Sequence, residues 1–345
     1  MSRPLRIGTR ASALAQAQAR WAAAALAAVW TAGPVTLVPV TTAGDRLSAE
    51  DPAGPVRPGR GWFVGALEEA LLAGEVDLCV HSAKDLPPEI PEGLLLAAFP
   101  ARGDPRDALV APGVSGLDGL ALGAVVATGS PRRALQLLAL RPDLAVRPLR
   151  GNVDTRLRRV TAGAFAGAVL AVAGLARLGL SDAIAEVFAP DHMVPAAGQG
   201  ALALEVRHAD AEVVTAVRQI DDAATAFAVL AERAVLAALG GGCQAPAGAL
   251  ATLGEPTGGP MKEPGRAGLR AVVCGPRSGR VVRVAVGMAV QPRWPDRAAL
   301  CGAAAELAVL AVEALRGEGA QALLAEGGVG AQDGGAGAGP GIAGG

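Results

Sequence analysis

Lysine and aromatic residues are scarce in this chain of 345 residues. Only two of its 31 basic residues, Lys84 and Lys262, are lysines, and the other 29 are arginines. Aromatic residues make up 3% of the chain and tyrosine is absent, which leaves few rings on which nucleobases could stack. The formal net charge of −1 also provides no general attraction for a polyanion. These shortages argue against a nucleic acid as a partner.

Long hydrophobic runs are missing as well. No uninterrupted apolar run reaches the roughly 18–20 residues that a membrane-spanning helix requires. Residues 21–30 form a shorter apolar stretch, which follows Arg10 and Arg20 and has no small-residue cleavage site. We therefore expect no signal peptide and no membrane association, and we expect a cytoplasmic protein.

The four cysteines include no Cys-x-x-Cys pair and have no histidine cluster beside them, so we expect no metal site. Cys79 and Cys274 lie in apolar runs typical of buried strands, and Cys301 lies in an alanine-rich helical stretch. This predicts a buried, unreactive thiol at all three positions. Cys243 differs, because three glycines precede it and Pro246 follows closely, as is typical of a loop. A loop thiol is available for chemistry, although a loop cysteine without a role is the alternative.

Short apolar runs alternate with helical patterns along much of the chain, which predicts α/β layers with mostly parallel strands. Residues 100–105 and residues 193–200 are candidate domain boundaries because of their proline and glycine content. After residue 222, a long helix leads into the cysteine loop, and strands and another helix follow. Residues 327–345 are rich in glycine and alanine with a single charge, and we expect them to form a disordered tail.

Two strand-to-helix turns contain the residues of an anion-binding site. Residues 9–12 are Thr-Arg-Ala-Ser, and Ser12 is a good N-cap for the following helix. Residues 128–133 are Thr-Gly-Ser-Pro-Arg-Arg, with Ser130 as the N-cap. Free N–H groups and the helix dipole favour negative charge at such a terminus, so an adjacent arginine suits a carboxylate or a phosphate. The two turns indicate two lobes that face one anion.

The region from residue 128 to residue 159 is strongly basic, with eight arginines against two aspartates. A solvated surface explains Arg158 and Arg159 well, but it explains Arg150 and Arg156 less well, because they open a helix after a strand. A planar guanidinium binds both oxygens of a carboxylate, which favours a carboxylated ligand. Since neither a P-loop nor a strand-GxGxxG-helix unit occurs, a nucleotide is not the expected anion.

A lysine and an aspartate stand together after a buried strand, in residues 81–88, His-Ser-Ala-Lys-Asp-Leu-Pro-Pro. At a strand end, Lys84 and Asp85 could combine anion binding with proton transfer. The alternative is an ordinary surface ion pair, worth roughly 0–1 kcal/mol. The scarcity of lysine favours the functional interpretation.

Taken together and in order along residues 5–325, these segments resemble the porphobilinogen deaminase (hydroxymethylbilane synthase) family. The matching segments are RIGTRAS at 6–12, GWF at 61–63, VHSAKDLP at 80–87, DPRDA at 104–108, TGSPRR at 128–133, LRGNVDTR at 149–156, LAVAGL at 170–175, PAAGQG at 195–200, ER at 232–233 and GGCQ at 241–244. Any one segment is weak, but the set is highly specific.

The resemblance implies an α/β protein of three domains. The first two resemble a two-lobed, periplasmic-binding-protein-like (type II) fold, and the third is a small α/β domain that carries the cofactor cysteine. The expected domains are residues 1–100 with 201–218, residues 106–194 and residues 223–326, followed by the tail at 327–345.

The resemblance also implies a dipyrromethane cofactor, attached through a thioether to Cys243. Four porphobilinogen molecules are joined head to tail on it, each with loss of ammonia, and hydrolysis then releases hydroxymethylbilane, the linear precursor of haem. Such an enzyme is a transferase, and we expect it to act as a monomer. The alternative is a non-catalytic, two-lobed protein that binds a carboxylated ligand, which would give no task to Asp85 or Cys243.

Each pyrrole carries an acetate and a propionate, so the growing chain is a polyanion that needs many carboxylate binders. Loss of ammonia leaves a cationic azafulvene, and Asp85 is the expected catalytic carboxylate because it could stabilise that cation and move protons. The family pattern implies cofactor contacts from Cys243, Lys84, Ser82, Thr128, Ser130, Arg132, Arg133, Arg156 and Gly174. It implies substrate contacts from Arg10, Ser12, Arg150, Arg177, Gln199 and Phe63.

Overall fold

A computed structural model describes residues 3–42, 64–240, 245–253, 265–291, 294 and 296–327, and its strands and helices extend from Leu5 to Glu326. Phe63, Cys243, Lys262 and residues 328–345 of the expected tail lie outside these described residues.

The first lobe begins with β1 (Leu5–Arg10), α1 (Ala13–Ala27), β2 (Val35–Val40), α2 (Gly65–Leu72), β3 (Leu78–Ser82), a 3-10 helix (Ala83–Asp85) and β4 (Leu94–Ala98). The second lobe contains β5 (Asp107–Val110), β6 (Val125–Ala127), α3 (Pro131–Leu140), β7 (Ala145–Arg147), α4 (Val153–Thr161), β8 (Gly167–Ala171), α5 (Val172–Arg177), a 3-10 helix (Ser181–Ala183) and β9 (Glu186–Val187). The chain then returns to the first lobe through β10 (Leu202–Arg207) and α6 (Ala211–Arg218).

The two lobes have the same sheet topology. The strand orders are β2-β1-β3-β10-β4 and β7-β6-β8-β5-β9. In each five-stranded sheet, the strand in the fourth place is antiparallel to the other four. These antiparallel strands are β5 and β10. Strand β5 is the first one after the chain crosses into the second lobe, and β10 is the first one after it returns to the first lobe. The expectation of mostly parallel strands is therefore confirmed, with one antiparallel strand in each lobe.

The third sheet is an antiparallel meander, β11 (Ala247–Leu253), β12 (Arg266–Cys274) and β13 (Val281–Ala289). Its accompanying helices are α7 (Ala223–Ala238), α8 (Arg297–Gly317) and α9 (Ala320–Glu326). One continuous core joins the sheet to these helices. The expected α/β fold of two lobes and a smaller third unit is confirmed.

Helix α8 has the length and hydropathy of a membrane-spanning helix. Its stripe of Leu300, Ala304, Leu307 and Ala311 is buried against the third sheet, as in the core helix of a globular domain. Cys301 falls outside that stripe and is exposed, so the prediction of a buried thiol at this position is wrong. At Cys79 and Cys274 the same prediction is confirmed.

Helix α7 contacts both segments that cross between the lobes, residues 99–106 and 188–201. The fully buried Glu232 accepts two hydrogen bonds from Arg102, at 2.6 and 3.0 Å. It also accepts the backbone N–H of Gly198, at 2.6 Å, and that of Ala251 in β11, at 2.9 Å. One carboxylate therefore connects the third sheet to both crossing segments.

Strand β11 passes so close to the second crossing segment that only glycine fits at position 248. A Cβ atom there would lie 2.4 Å from the carbonyl oxygen of Pro195 and 2.8 Å from Cδ of Arg132. Real Cβ atoms do not approach backbone oxygen so closely, so a side chain would push β11 away from the second lobe.

We expect Gly248→Ala to lower the free energy of unfolding by about 1–3 kcal/mol, the usual cost of overpacking. Gly302→Ala is the matched control, because a Cβ atom there meets nothing within 4 Å on helix α8. The same change should stabilise the protein there by about 0.5–1 kcal/mol. Urea unfolding of both variants measures the difference, and equal stability of the two would contradict a close contact at Gly248.

Candidate active site

The carboxyl ends of the co-directional strands of both lobes meet at one cleft, where open α/β sheets commonly bind ligands. The first lobe contributes Leu14, Gln18, Ser82 and Lys84. The second lobe contributes Arg133, Val153, Arg156, Leu170, Ala171, Ala173, Gly174 and Arg177, and the second crossing segment contributes Gly200 and Ala201. Six predicted site residues thus share the cleft wall: Ser82, Lys84, Arg133, Arg156, Gly174 and Arg177.

Two helix starts border the cleft, and each is capped by a predicted site residue. The hydroxyl of Ser12 accepts the N–H of Ala15 at 3.3 Å, and that of Ser130 accepts the N–H of Arg133 at 3.4 Å. Ser130 in turn donates its backbone N–H to the hydroxyl of Thr128, at 3.3 Å. The two serines therefore orient the first turns of α1 and α3, as the sequence predicts.

Beneath the cleft, a single carboxylate holds two adjacent arginines. Asp107 is fully buried on β5 and lies 2.8 Å from Arg132 and 2.7 Å from Arg133. Burial alone would raise the pKa of Asp107, but Arg132 and Arg133 outweigh it and hold that pKa well below its usual range. Asp107 thus stays ionised and compensates two guanidinium groups that are only 3% and 6% exposed.

Gln199 uses all of its amide atoms to connect this pair with the first lobe. Its Nε2 donates to Asp107 at 2.8 Å and to the carbonyl of Pro105 at 2.7 Å. Its Oε1 accepts from Arg133 at 3.1 Å and from Lys84 at 3.4 Å. With both donors and both lone pairs engaged, Gln199 organises the base of the cleft.

Lys84 lies on the 3-10 helix after β3, among both like and opposite charges. Burial lowers the pKa of Lys84 to about 8, with Arg133 acting in the same direction and Asp85 and Asp107 opposing it. An ammonium that is partly withdrawn from water beside a guanidinium favours an added anion. The adjacent Asp85 is exposed.

Arg156 and Arg177 each donate to one main-chain carbonyl. Arg156 binds the carbonyl of Gly151 at 2.7 Å, and Arg177 binds that of Gly200 at 2.6 Å. Burial lowers the pKa of Arg156 to about 10 and also lowers that of Arg177, yet both remain cationic at neutral pH. A guanidinium has five N–H donors, so each can also bind a carboxylate.

The remaining predicted residues lie around this wall or outside the described chain. Arg10 ends β1 and Arg150 precedes α4, and both are half-buried. Phe63 and Cys243 lie outside the described residues. The flanking β11 is described, and its Gly248 packs against Arg132 at the base of the cleft.

Two important residues were missed by sequence reasoning. Asp107 was given no role, although the neighbouring pair Arg132-Arg133 after a buried strand requires a counter-charge. Gln18 was also overlooked, and its Nε2 donates to the hydroxyl of Ser82 at 2.9 Å. A polar residue on the otherwise apolar face of α1 is the only sequence signal for it.

Two models of known protein families match successive regions of the chain. Residues 5–215 match the family model "porphobilinogen deaminase, dipyromethane cofactor binding domain". Residues 226–259 match the model "porphobilinogen deaminase, C-terminal domain".

Curated relatives support the same identification. A porphobilinogen deaminase of Roseiflexus sp. (strain RS-1) is 48% identical over 284 residues, which cover 82% of this chain and 89% of the relative. A porphobilinogen deaminase of Acidothermus cellulolyticus is 53% identical over 251 residues, covering 71% of this chain and 74% of the relative.

Among solved structures, the methionine binding protein MetQ matches with 17% identity and a TM-score of 0.41, covering 63% of this chain and 89% of that one. A periplasmic substrate-binding protein of an ABC transporter from Coxiella burnetii matches with 17% identity and a TM-score of 0.40, covering 63% and 91%.

We expect Asp107→Asn to lower the free energy of unfolding at pH 7 by about 3–5 kcal/mol, because two buried guanidinium groups lose their counter-charge. The depressed pKa of Asp107 stabilises the wild type above the unfolded-state pKa of about 3.9, and this contribution is lost as pH falls below it. The difference between the two proteins should therefore shrink below about pH 4.

Urea unfolding at pH 7 and pH 3 measures this difference. Asp154→Asn is the matched control, since Asp154 is 52% exposed and pairs with Arg158 on the surface. Its loss should cost less than about 1 kcal/mol. A difference for Asp107→Asn that is independent of pH would show that its charge is not the stabilising feature.

Proposed function

Because the chain belongs to the porphobilinogen deaminase family, we propose that its interlobe cleft is the place where four porphobilinogen molecules are joined head to tail. The protein is a transferase of tetrapyrrole biosynthesis, and ammonia is lost with each unit before hydroxymethylbilane is released by hydrolysis. The non-catalytic binding protein is not favoured, since the curated relatives are enzymes.

The observation that best supports this site is the charge of the cleft wall. Lys84, Arg133, Arg156 and Arg177 line one cleft between two lobes. A chain of pyrroles carries two carboxylates per unit, so a wall of ammonium and guanidinium groups suits it chemically. Asp107 lies buried beneath this wall and stabilises it from within.

The family's cofactor is dipyrromethane, and the cations of the cleft wall fit its carboxylates. The best sign is Lys84, whose lowered pKa reflects an ammonium that a bound anion would stabilise. When bound, the dipyrromethane supplies the primer to which the first substrate unit is added. We propose that its attachment is to Cys243 and that its contacts come from Ser82, Lys84, Thr128, Ser130, Arg132, Arg133, Arg156 and Gly174.

For the incoming substrate, we propose contacts from Arg10, Ser12, Arg150, Arg177 and Phe63. Gln199 is assigned a supporting role, because its amide is engaged with Asp107, Arg133 and Lys84. It therefore acts on the substrate by keeping these two cations in place.

Asp85 is the proposed catalytic carboxylate. Loss of ammonia leaves a cation on the substrate pyrrole, and a nearby carboxylate stabilises this charge and accepts or returns a proton. Asp85 interacts electrostatically with Lys84, Arg133 and Arg156, so it belongs to the same charge cluster as the proposed carboxylate binders.

We further propose that each sheet with its helices forms one domain, with the expected boundaries 1–100 plus 201–218, 106–194 and 223–326. The protein is proposed to act as a cytoplasmic monomer without a nucleic-acid or membrane partner. Light scattering on the purified protein would test the monomer, since a doubled mass would contradict it.

Intact-protein mass spectrometry should show an excess equal to two linked pyrrole units, and Cys243→Ser should abolish it. Cys301→Ser is the matched control, because Cys301 is an exposed thiol on helix α8 and should leave the excess unchanged. An unmodified protein with full activity would overturn the cofactor assignment.

Asp85→Asn should keep the fold and the cofactor mass but lose turnover by about 100- to 10,000-fold, the usual contribution of a general acid-base group. Asp182→Asn, at an exposed aspartate of the second lobe, should retain wild-type turnover. Steady-state formation of product by both holoenzymes measures the effect. Near-normal turnover of Asp85→Asn would remove Asp85 from the catalytic role.

A further inference from the structure

A side chain of the third domain binds the loop that carries Asp85. Arg233, on helix α7, donates to the carbonyl of Pro87 at 2.7 Å, to that of Pro88 at 3.0 Å and to that of Leu86 at 3.4 Å. One guanidinium thus binds three successive carbonyls immediately after the proposed catalytic residue.

The hydrogen bonds from Arg233 restrain this loop strongly because the loop contains two successive prolines. Proline fixes its own φ and has no N–H, so Pro87 and Pro88 cannot donate hydrogen bonds to a backbone ladder. Side-chain donors can instead satisfy their carbonyls, and Arg233 provides them with a rigid fork. Since Leu86 closes the 3-10 helix through its N–H to Ala83, at 3.4 Å, fixing this loop also fixes the adjacent turn.

Leu86 strengthens the same connection. It is buried in the core that it shares with Phe227 and Ala231 of helix α7, although it belongs to the first lobe. Burial lowers the pKa of Arg233, and Glu205 of the first lobe opposes this shift. The first lobe therefore offsets part of the cost of burying this cation.

Helix α7 is also hydrogen-bonded to both crossing segments and to strand β11. Glu232, the neighbour of Arg233, binds Arg102 and the backbone of Gly198 and Ala251. The helix ends at Ala238, five residues before Cys243. The same helix thus leads directly to the proposed attachment residue and contacts the loop of the proposed catalytic carboxylate.

We infer that Arg233 is a positioning residue for the reaction: it holds the loop of residues 86–88 so that Asp85 keeps a fixed place relative to the domain that carries the cofactor. This inference rests on the proposed role of Asp85. Among the described residues, the side-chain hydrogen bonds of Arg233 all go to main-chain carbonyls of residues 86–88, so its effect on the reaction is transmitted through the loop.

The test compares Arg233→Met and Arg233→Lys with wild type as purified holoenzymes. Displacing a reacting group by about 1 Å can cost about 100-fold in rate. We expect kcat of Arg233→Met to fall about 10- to 100-fold while KM and the cofactor mass stay near wild type. Lysine keeps the charge but not the fork, so Arg233→Lys should lie between the two.

Arg141→Met is the matched control. Arg141 likewise binds loop carbonyls, those of Leu117 at 2.8 Å and Leu120 at 3.3 Å, but in the second lobe away from the cleft. It should lower the unfolding temperature and leave kcat per holoenzyme unchanged. If Arg233→Met does not accumulate as a folded protein, Arg233→Lys provides the test.

Two results would overturn the inference. Either kcat of the Arg233 variants falls no more than that of Arg141→Met, or the variants fold but lack the cofactor mass, which would assign Arg233 to cofactor assembly. Asp85→Asn is measured in parallel to separate the two proposals. If Asp85→Asn is inactive and the Arg233 variants are normal, only the positioning role fails, whereas a fully active Asp85→Asn removes the proposed function of Asp85.

Discussion

The candidate site depends on the ion pairs that the buried carboxylate of Asp107 forms with Arg132 and Arg133. Two adjacent guanidinium groups could not remain 3% and 6% exposed without a counter-charge, because desolvation of each ion costs several kcal/mol. Asp107 compensates Arg132 and Arg133 together, and Gln199 extends the network to Lys84 across the lobes. The buried carboxylate of Asp107 thus stabilises the positively charged wall of the cleft from beneath, without being exposed in the cleft itself.

Local signals explain why part of the candidate site could be predicted from the residues themselves, whereas the full list of contact residues came from the family resemblance. The cap positions of Ser12 and Ser130, and the Lys84-Asp85 turn after a buried strand, depend on residues within a few positions of one another. Asp107 depends instead on arginines 25 and 26 residues away, and Arg102 on Glu232 at a separation of 130 residues. Composition and periodicity contain no such pairing information, so these contacts could be found only in the folded chain.

The fold shows the same division. The alternation of strands and helices is a local pattern, and the two lobes show the α/β arrangement that it predicts. The reversed direction of β5 and β10 follows from the path between lobes, which no local pattern records. Cys301 was misplaced for a related reason: an alanine-rich helix has so weak a contrast between its faces that its buried side cannot be assigned from sequence.

The arginines of the cleft fall into two groups by what they already bind. Arg133 donates to Asp107, to Gln199 and to the carbonyl of Val169, so most of its donors are fixed by the protein. Arg156 and Arg177 each give one of five donors to a described main-chain carbonyl. The proposed ligand lengthens by one dicarboxylate unit at a time. A rigid base would preserve the geometry of its reacting end, while side chains with remaining donors would be suited to each new carboxylate. The division follows from Asp107, since the arginines that it pairs with in the described chain are Arg132 and Arg133, whereas Arg156 and Arg177 keep donors that the proposed ligand could engage.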